Sequence, residues 1–312
     1  MTTLTLPAVA RALIEPRLPP SVAARWFASR AEAMALAPDT DIGWFDMYDK
    51  SAMATVIAAA TRMKWLNSVY AGVEHFPLDL LRQRGTIITN GAGINALTIA
   101  EWVVMGMLTV AKGYRDIVRA RDRHEWLTEA PGKVELAGSR ALILGGGAIG
   151  TLVATRLAAF DIEVATVRRT PGPGELGPDD WRARLPDFDW VILAVPATPE
   201  TDKMIGTAEL AAMKQSAVLI NVARGSVVDE EALVAALRSK AIGGAFLDVT
   251  DVEPLPGDHP LWTIDSAHVT MHLSGNAQTR MFPRAVDRFV ANLPRYLAAE
   301  PLTHQVDYVQ GY

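Results

Sequence analysis

From about residue 139 to 272 the chain repeats one pattern: a short, nearly uninterrupted apolar run, a turn, then apolar positions at helical spacing. The runs are RALILG (140–145), IEVATV (162–167), DWVILAV (189–195), AVLINVA (217–223), GGAFLDV (243–249) and AHVTMH (267–272). Each is too continuously apolar to be half exposed, which predicts strands covered on both faces. Between them, AIGTLVATRLAAF, TAELAAMK and DEEALVAALRSK predict helices, the last with Asp229 as N-cap and Leu233, Ala236 and Leu237 on one face. Strands alternating with helices give an α/β class with a doubly wound parallel sheet. WFDMYDK, MKWLNSVYAG and GTIITNGAG predict a second, smaller α/β unit over roughly residues 1–93, to which the helical stretch RMFPRAVDRFVANLPRYLAAE returns. RTPGPGELGP (169–178) reads as a loop inside the larger unit.

Composition narrows the partners. The 312 residues carry 30 Lys plus Arg against 35 Asp plus Glu, so no global basic field is expected to hold nucleic acid or an anionic membrane. There is no cysteine, which removes disulfides, thiolate nucleophiles and Cys-ligated metals, and fits a reducing, cytoplasmic setting. Pro7, Arg11, Glu15 and Pro16 interrupt the N-terminal residues, so a signal peptide is not expected there. WVVMGMLTVA (102–111) is too short for a bilayer and reads as a buried helix.

LILGGGAIG places Gly145, Gly147 and Gly150 in G-x-G-x-x-G spacing, after one predicted strand and before a helix. Glycines there permit a tight turn, close approach of backbone amides to a pyrophosphate, and close packing of helix on strand. With a second strand following, the context predicts dinucleotide binding by Gly145, Gly147, Ala148, Ile149 and Gly150. An NAD site wants a carboxylate at the end of that second strand to accept bonds from the ribose hydroxyls. Arg168 stands there, followed by Arg169 and Thr170. Guanidiniums cannot accept those bonds but can fork onto a 2′-phosphate, so NADPH is expected to be preferred, with NADH possible.

Three later strand ends carry chemistry: Arg224 in INVARGSVVDEEAL, Asp248 and Glu253 in AFLDVTDVEPLP, and His272 in HVTMHLSG. An Arg, a Glu and a His at successive strand ends suit a small carbonyl compound bearing a carboxylate. Hydride addition to a ketone leaves an oxygen needing a proton, which an imidazolium at His272 can donate. Glu253 beside it would favour the charged ring, and Arg224 would hold the carboxylate and polarise the carbonyl. No metal is needed.

On these motifs, with VPATPET, HPLW and SVYAGVEH (68–75), the sequence resembles the D-isomer-specific 2-hydroxyacid dehydrogenases, nearest in pattern to NADPH-dependent glyoxylate/hydroxypyruvate reductases. The resemblance implies two Rossmann-like domains with an active-site cleft between them. The substrate domain would be 1–93 plus 281–312, the dinucleotide-binding domain 94–280, and closure would hinge near 93–95 and 275–285. It implies the same roles for Arg224, Glu253 and His272, and a nicotinamide contact for Asp248. Val195, Pro196, Thr201, Val222, Ala223 and Ser274 would line the cofactor. Backbone amides near Ala71, Gly72 and Val73 would bind the substrate carboxylate, Asn95 would lie near the cleft, and Trp44 and Phe45 would line the substrate pocket. It further implies a homodimer through residues 105–130, with Trp126 near the neighbour's cleft.

Two departures qualify the resemblance. Met271 stands where the family usually has Pro before its His, and Arg168 replaces the acidic residue of NAD-dependent members. Formate dehydrogenases carry Gln where this chain has Glu253. The expected activity is NADPH-preferring reduction of small 2-keto acids to D-2-hydroxy acids. The alternatives are a reductase for a bulkier 2-keto acid such as phenylpyruvate, or a non-catalytic dinucleotide-sensing corepressor.

Overall fold

Every apolar run named above becomes a parallel strand. In the computed structural model, which describes residues 1–73 and 75–308, the chain divides into two units: Met1–Asn95 with Gln278–Tyr312, and Ala96–Ala277. The crossings thus fall at 95/96 and 277/278, against the expected 93/94 and 280/281. The physical reason is local. Ile94 is buried in the core of the first unit, and Asn95 Oδ1 accepts a hydrogen bond from Gln278 Nε2 at 2.8 Å.

The first unit holds β1 (Thr2–Pro7), β2 (Val22–Phe27), β3 (Ile42–Gly43), β4 (Trp65–Asn67) and β5 (Ile87–Thr89), in the order β2-β1-β3-β4-β5. The second holds β6 (Arg140–Leu144), β7 (Glu163–Val167), β8 (Trp190–Leu193), β9 (Val218–Asn221), β10 (Gly244–Leu247) and β11 (Ala267–Val269), in the order β11-β10-β9-β8-β6-β7. All named strand pairs are parallel. In the second unit the chain leaves β6 for β7 on one side and crosses to β8 on the other. That reversal of winding opens a crevice at the C-terminal strand ends, where such sheets take ligands.

The continuous apolar runs follow from a sheet buried on both faces. Leu142, Leu144, Val191, Leu193 and Leu219 pack into one core, while Ala141, Ile143, Trp190, Ile192 and Ile220 pack into another. Fully burying each larger aliphatic side chain contributes about 1.5–3 kcal/mol, so no position on either face can turn polar cheaply. Helix Glu230–Arg238 begins at Asp229, whose side chain accepts from Ala232 N at 3.1 Å, and buries Leu233, Ala236 and Leu237. Helix Ala96–Ala111 turns Ala100, Val103, Met107 and Ala111 inward at three- and four-residue spacing. Among the described residues no single helix is long and apolar enough to cross a membrane.

Candidate active site

The glycine turn lies between β6 and helix Ala148–Ala158. Gly145 adopts φ +110°, and a Cβ there would fall 2.4 Å from Ala194 O, so no other residue makes this bend. At Gly150 a Cβ would fall 1.9 Å from Gly145 O, which is how closely helix meets strand. Gly147 differs: a Cβ there would meet nothing within 4 Å, and as N-cap it supplies no side-chain bond to the helix. The amides of Gly146 and Gly147 make no hydrogen bond among the described residues. An open turn with unspent amides at the N-terminus of an 11-residue helix fits a pyrophosphate. Beyond β8, Thr201 Oγ1 donates to Pro196 O at 2.7 Å and accepts from Thr198 N at 2.9 Å, fixing the loop after Val195.

At the end of β7, Arg168 is half-buried and its Nε donates to Glu175 Oε1 at 2.6 Å, while Arg169 and Thr170 are exposed. At the end of β9, Val222 and Ala223 are buried and Arg224 is half-buried. Asn221 braces this bend by accepting from Ala223 N and donating to Arg224 O, at 3.0 and 2.9 Å. Gly225 then presses on the next loop: a Cβ there would fall 2.0 Å from Thr250 O. The loops carrying Arg224 and Glu253 therefore share one contact that only glycine permits.

Glu253 and His272 meet. His272 Nδ1 lies 2.7 Å from Glu253 Oε2, and Thr250 N donates to Glu253 Oε1 at 3.1 Å, so the carboxylate is held from two sides. With Nδ1 committed to Glu253, Nε2 is the ring atom left to exchange a proton. The turn that presents His272 is strained. Met271 and His272 sit at φ +55° and +56°, left-handed conformations that cost about 1–2 kcal/mol per non-glycine residue. Proline cannot take that φ, so the Met271 departure goes with the local backbone.

Asp248 holds the turn in place. It is 2% exposed, and its Oδ1 accepts from Thr270 Oγ1 at 2.8 Å and Leu273 N at 3.0 Å. Its Oδ2 accepts from Ser274 Oγ, and its carbonyl accepts from His272 N at 2.5 Å. Trp102 Nε1 in turn donates to Thr270 Oγ1 at 2.9 Å. Sequence reasoning placed Asp248 and Ser274 at the cofactor; the structure also makes them the clamp behind His272.

In the first unit, the amides of Ala71, Gly72 and Val73 make no hydrogen bond among the described residues, while Val73 is buried and Asn90 Nδ2 donates to Ala71 O at 2.7 Å. Three unspent amides on an anchored turn suit an anion. Glu74 of that motif lies outside the described residues. Trp44 and Phe45, expected at a pocket wall, are core residues at 0% and 1% exposure. Trp44 packs on Phe282 and Phe289, and Phe45 on Phe27, because the aromatic cluster offers more apolar contact than a loop surface does.

The residue that sequence reasoning missed here is Asp46. It is half-buried, and it accepts from Trp44 Nε1, Ser68 Oγ and Val69 N, each at 2.6 Å. Burial pushes its carboxyl up from the usual range, against the pull of those donors. It thereby ties the end of β3 to the turn that leads to Ala71. The available signal was a carboxylate directly after two core aromatics in WFD.

Comparison with known proteins agrees with this geometry. Residues 104–274 match the family model "D-isomer specific 2-hydroxyacid dehydrogenase, NAD binding domain". A glyoxylate reductase from Thermofilum pendens is 32% identical over 86% of this chain and 83% of its own length. A D-3-phosphoglycerate dehydrogenase from Archaeoglobus fulgidus is 30% identical over 72% of this chain, which spans 44% of that protein's length. The solved structure of a D-isomer specific 2-hydroxyacid dehydrogenase from Xanthobacter autotrophicus in complex with NADPH and MES is 27% identical, covers 100% of this chain and 99% of its own, and superposes with a TM-score of 0.79.

Proposed function

The chain belongs to the D-isomer specific 2-hydroxyacid dehydrogenase family, an oxidoreductase family with an NAD(P)-binding domain, and from that premise we propose that it is an NADPH-preferring reductase of small 2-keto acids, of the glyoxylate and hydroxypyruvate kind, yielding D-2-hydroxy acids. The observation that carries the reading is the 2.7 Å pairing of His272 with Glu253 on loops adjoining Arg224.

The roles follow from the chemistry. The Arg224 guanidinium holds the substrate carboxylate and draws electron density from the carbonyl oxygen. When bound, the cofactor supplies the hydride, which adds to the carbonyl carbon. His272 gives its Nε2 proton to the carbonyl oxygen, and Glu253 stabilises the protonated ring beforehand. The unspent amides of Ala71, Gly72 and Val73 are proposed as donors to a carboxylate. The residues present fit the cofactor: the open glycine turn takes its pyrophosphate, and Arg168 and Arg169 take its 2′-phosphate. That the Xanthobacter protein was solved in complex with NADPH supports the reading of this site as one for NADPH.

The test is initial-rate reduction of glyoxylate, hydroxypyruvate, pyruvate and phenylpyruvate, each with NADPH and with NADH. The reading expects the first two substrates and NADPH to give the highest kcat/KM. A preference for phenylpyruvate would assign a larger keto acid, and equal efficiency with both cofactors would remove the role given to Arg168.

The protein is also proposed to be a cytoplasmic homodimer. Met105, Tyr114, Ile117, Trp126 and Leu127 stand 40–93% exposed along residues 105–130, an apolar display that a monomer rarely leaves uncovered. Light scattering should give the mass of two chains; a single-chain mass would refute the dimer.

A further inference from the structure

The loop after β7 doubles back along its own strand. Arg168 N donates to Leu176 O and Leu176 N to Thr166 O, both at 2.9 Å, and Val167 and Leu176 form a parallel bridge. This return brings Glu175 against Arg168. Oε1 accepts from Arg168 Nε at 2.6 Å, and Oε2 accepts from Gly172 N at 2.9 Å. The Gly172 amide, with Arg168 adding to it, holds the Glu175 carboxyl below the usual carboxylate range.

The pair lies over the glycine turn. A Cβ on Gly146 would stand 2.3 Å from Arg168 Nε and 2.6 Å from its Cζ, so the guanidinium rests where that side chain would be. The outer edge of the guanidinium reaches only Thr151 Oγ1, at 3.4 Å, among the described residues. One edge of Arg168 thus remains for an anion and the other already has one. Glu175 is still 26% exposed, and each of its carboxylate oxygens can accept a second hydrogen bond.

The second strand of this unit lacks the carboxylate that reads ribose hydroxyls, and the loop returns one to the same place from seven residues further on. We propose that Glu175 is the discriminating residue of the adenosine site: its carboxylate accepts hydrogen bonds from an unphosphorylated ribose and repels a 2′-phosphate, while Arg168 attracts that phosphate. This rests on the reading of Arg168 as a phosphate ligand. The two side chains oppose each other, so the native protein binds both cofactor forms, with a smaller preference for the phosphorylated one than Arg168 alone would set.

Calorimetric titration with adenosine 2′,5′-bisphosphate and with ADP tests the proposal without turnover. Glu175→Gln should tighten the bisphosphate about tenfold, by removing a like charge, and weaken ADP about threefold, by removing an acceptor. Glu175→Ser should shift both in the same directions. The Arg168 N–Leu176 O and Leu176 N–Thr166 O bonds pin the loop without the Glu175 side chain, so the fold survives either change. Weakening of both ligands would make Glu175 a mere loop support, and no change in either would make it a bystander; both outcomes overturn the proposal. Arg168→Gln should weaken the bisphosphate and leave ADP unchanged. If it leaves both unchanged, the phosphate reading of Arg168 falls instead.

Discussion

Replacing His272 with asparagine should lower kcat for keto-acid reduction by about 10²–10⁴-fold, the usual contribution of a positioned general acid. Asparagine keeps a polar group near Glu253 and tolerates the left-handed backbone at φ +56° better than most residues, so the turn after β11 survives. NADPH binding, followed by fluorescence, should remain within about threefold of wild type, because the pyrophosphate turn and Arg168 lie on other strands. A matched loss of kcat and cofactor affinity would mean that the substitution had unravelled the Asp248 clamp. Glu253→Gln should cost less, since the imidazole keeps an acceptor at Nδ1 and loses only the charge 2.7 Å away.

Arg224→Gln should lower kcat/KM by about 10²–10³-fold, the scale of losing a preorganised donor to developing oxyanion charge. The two roles given to Arg224 predict a split. Loss of the carboxylate anchor raises KM, and loss of carbonyl polarisation lowers kcat, so both constants should move. Arg224→Lys should recover little, because one ammonium cannot reproduce the guanidinium fork on a planar carboxylate. A change in KM alone would confine Arg224 to binding. Asn221 and Gly225 keep the bend itself intact in these variants, since their contacts are to backbone atoms.

The sheet of the second unit was readable from sequence because burial on both faces leaves a local mark: six nearly uninterrupted apolar runs. The glycine turn was readable for the same reason, since its contacts to Ala194 and within the turn demand a residue type. The Arg, Glu and His were found as strand-end residues, and their pairing followed from chemistry. What stayed hidden depends on the path of loops. Nothing in GELGP says that Glu175 returns to Arg168, because that depends on Leu176 bonding back to β7. Asp46 was masked in the same way, its three donors coming from Trp44 and from residues 22 and 23 positions away. Trp44 and Phe45 misled through position: they follow β3, where a pocket wall is common, but Phe27, Phe282 and Phe289 claim them for the core.

The left-handed pair Met271–His272 shows how local strain and the candidate site coincide. Two unfavourable residues are tolerated because Asp248, with Thr270, Leu273 and Ser274 as its donors, holds the turn against them. The clamp is made of groups whose partners lie up to 26 positions apart, which no periodic pattern reveals.

The most direct test of the account is to mix the protein with NADPH and hydroxypyruvate, follow NADPH oxidation, and determine the configuration of the glycerate formed. The account predicts stoichiometric turnover to D-glycerate, abolished in His272→Asn. Tight NADPH binding with no turnover on any 2-keto acid would contradict it and would make the chain a dinucleotide sensor.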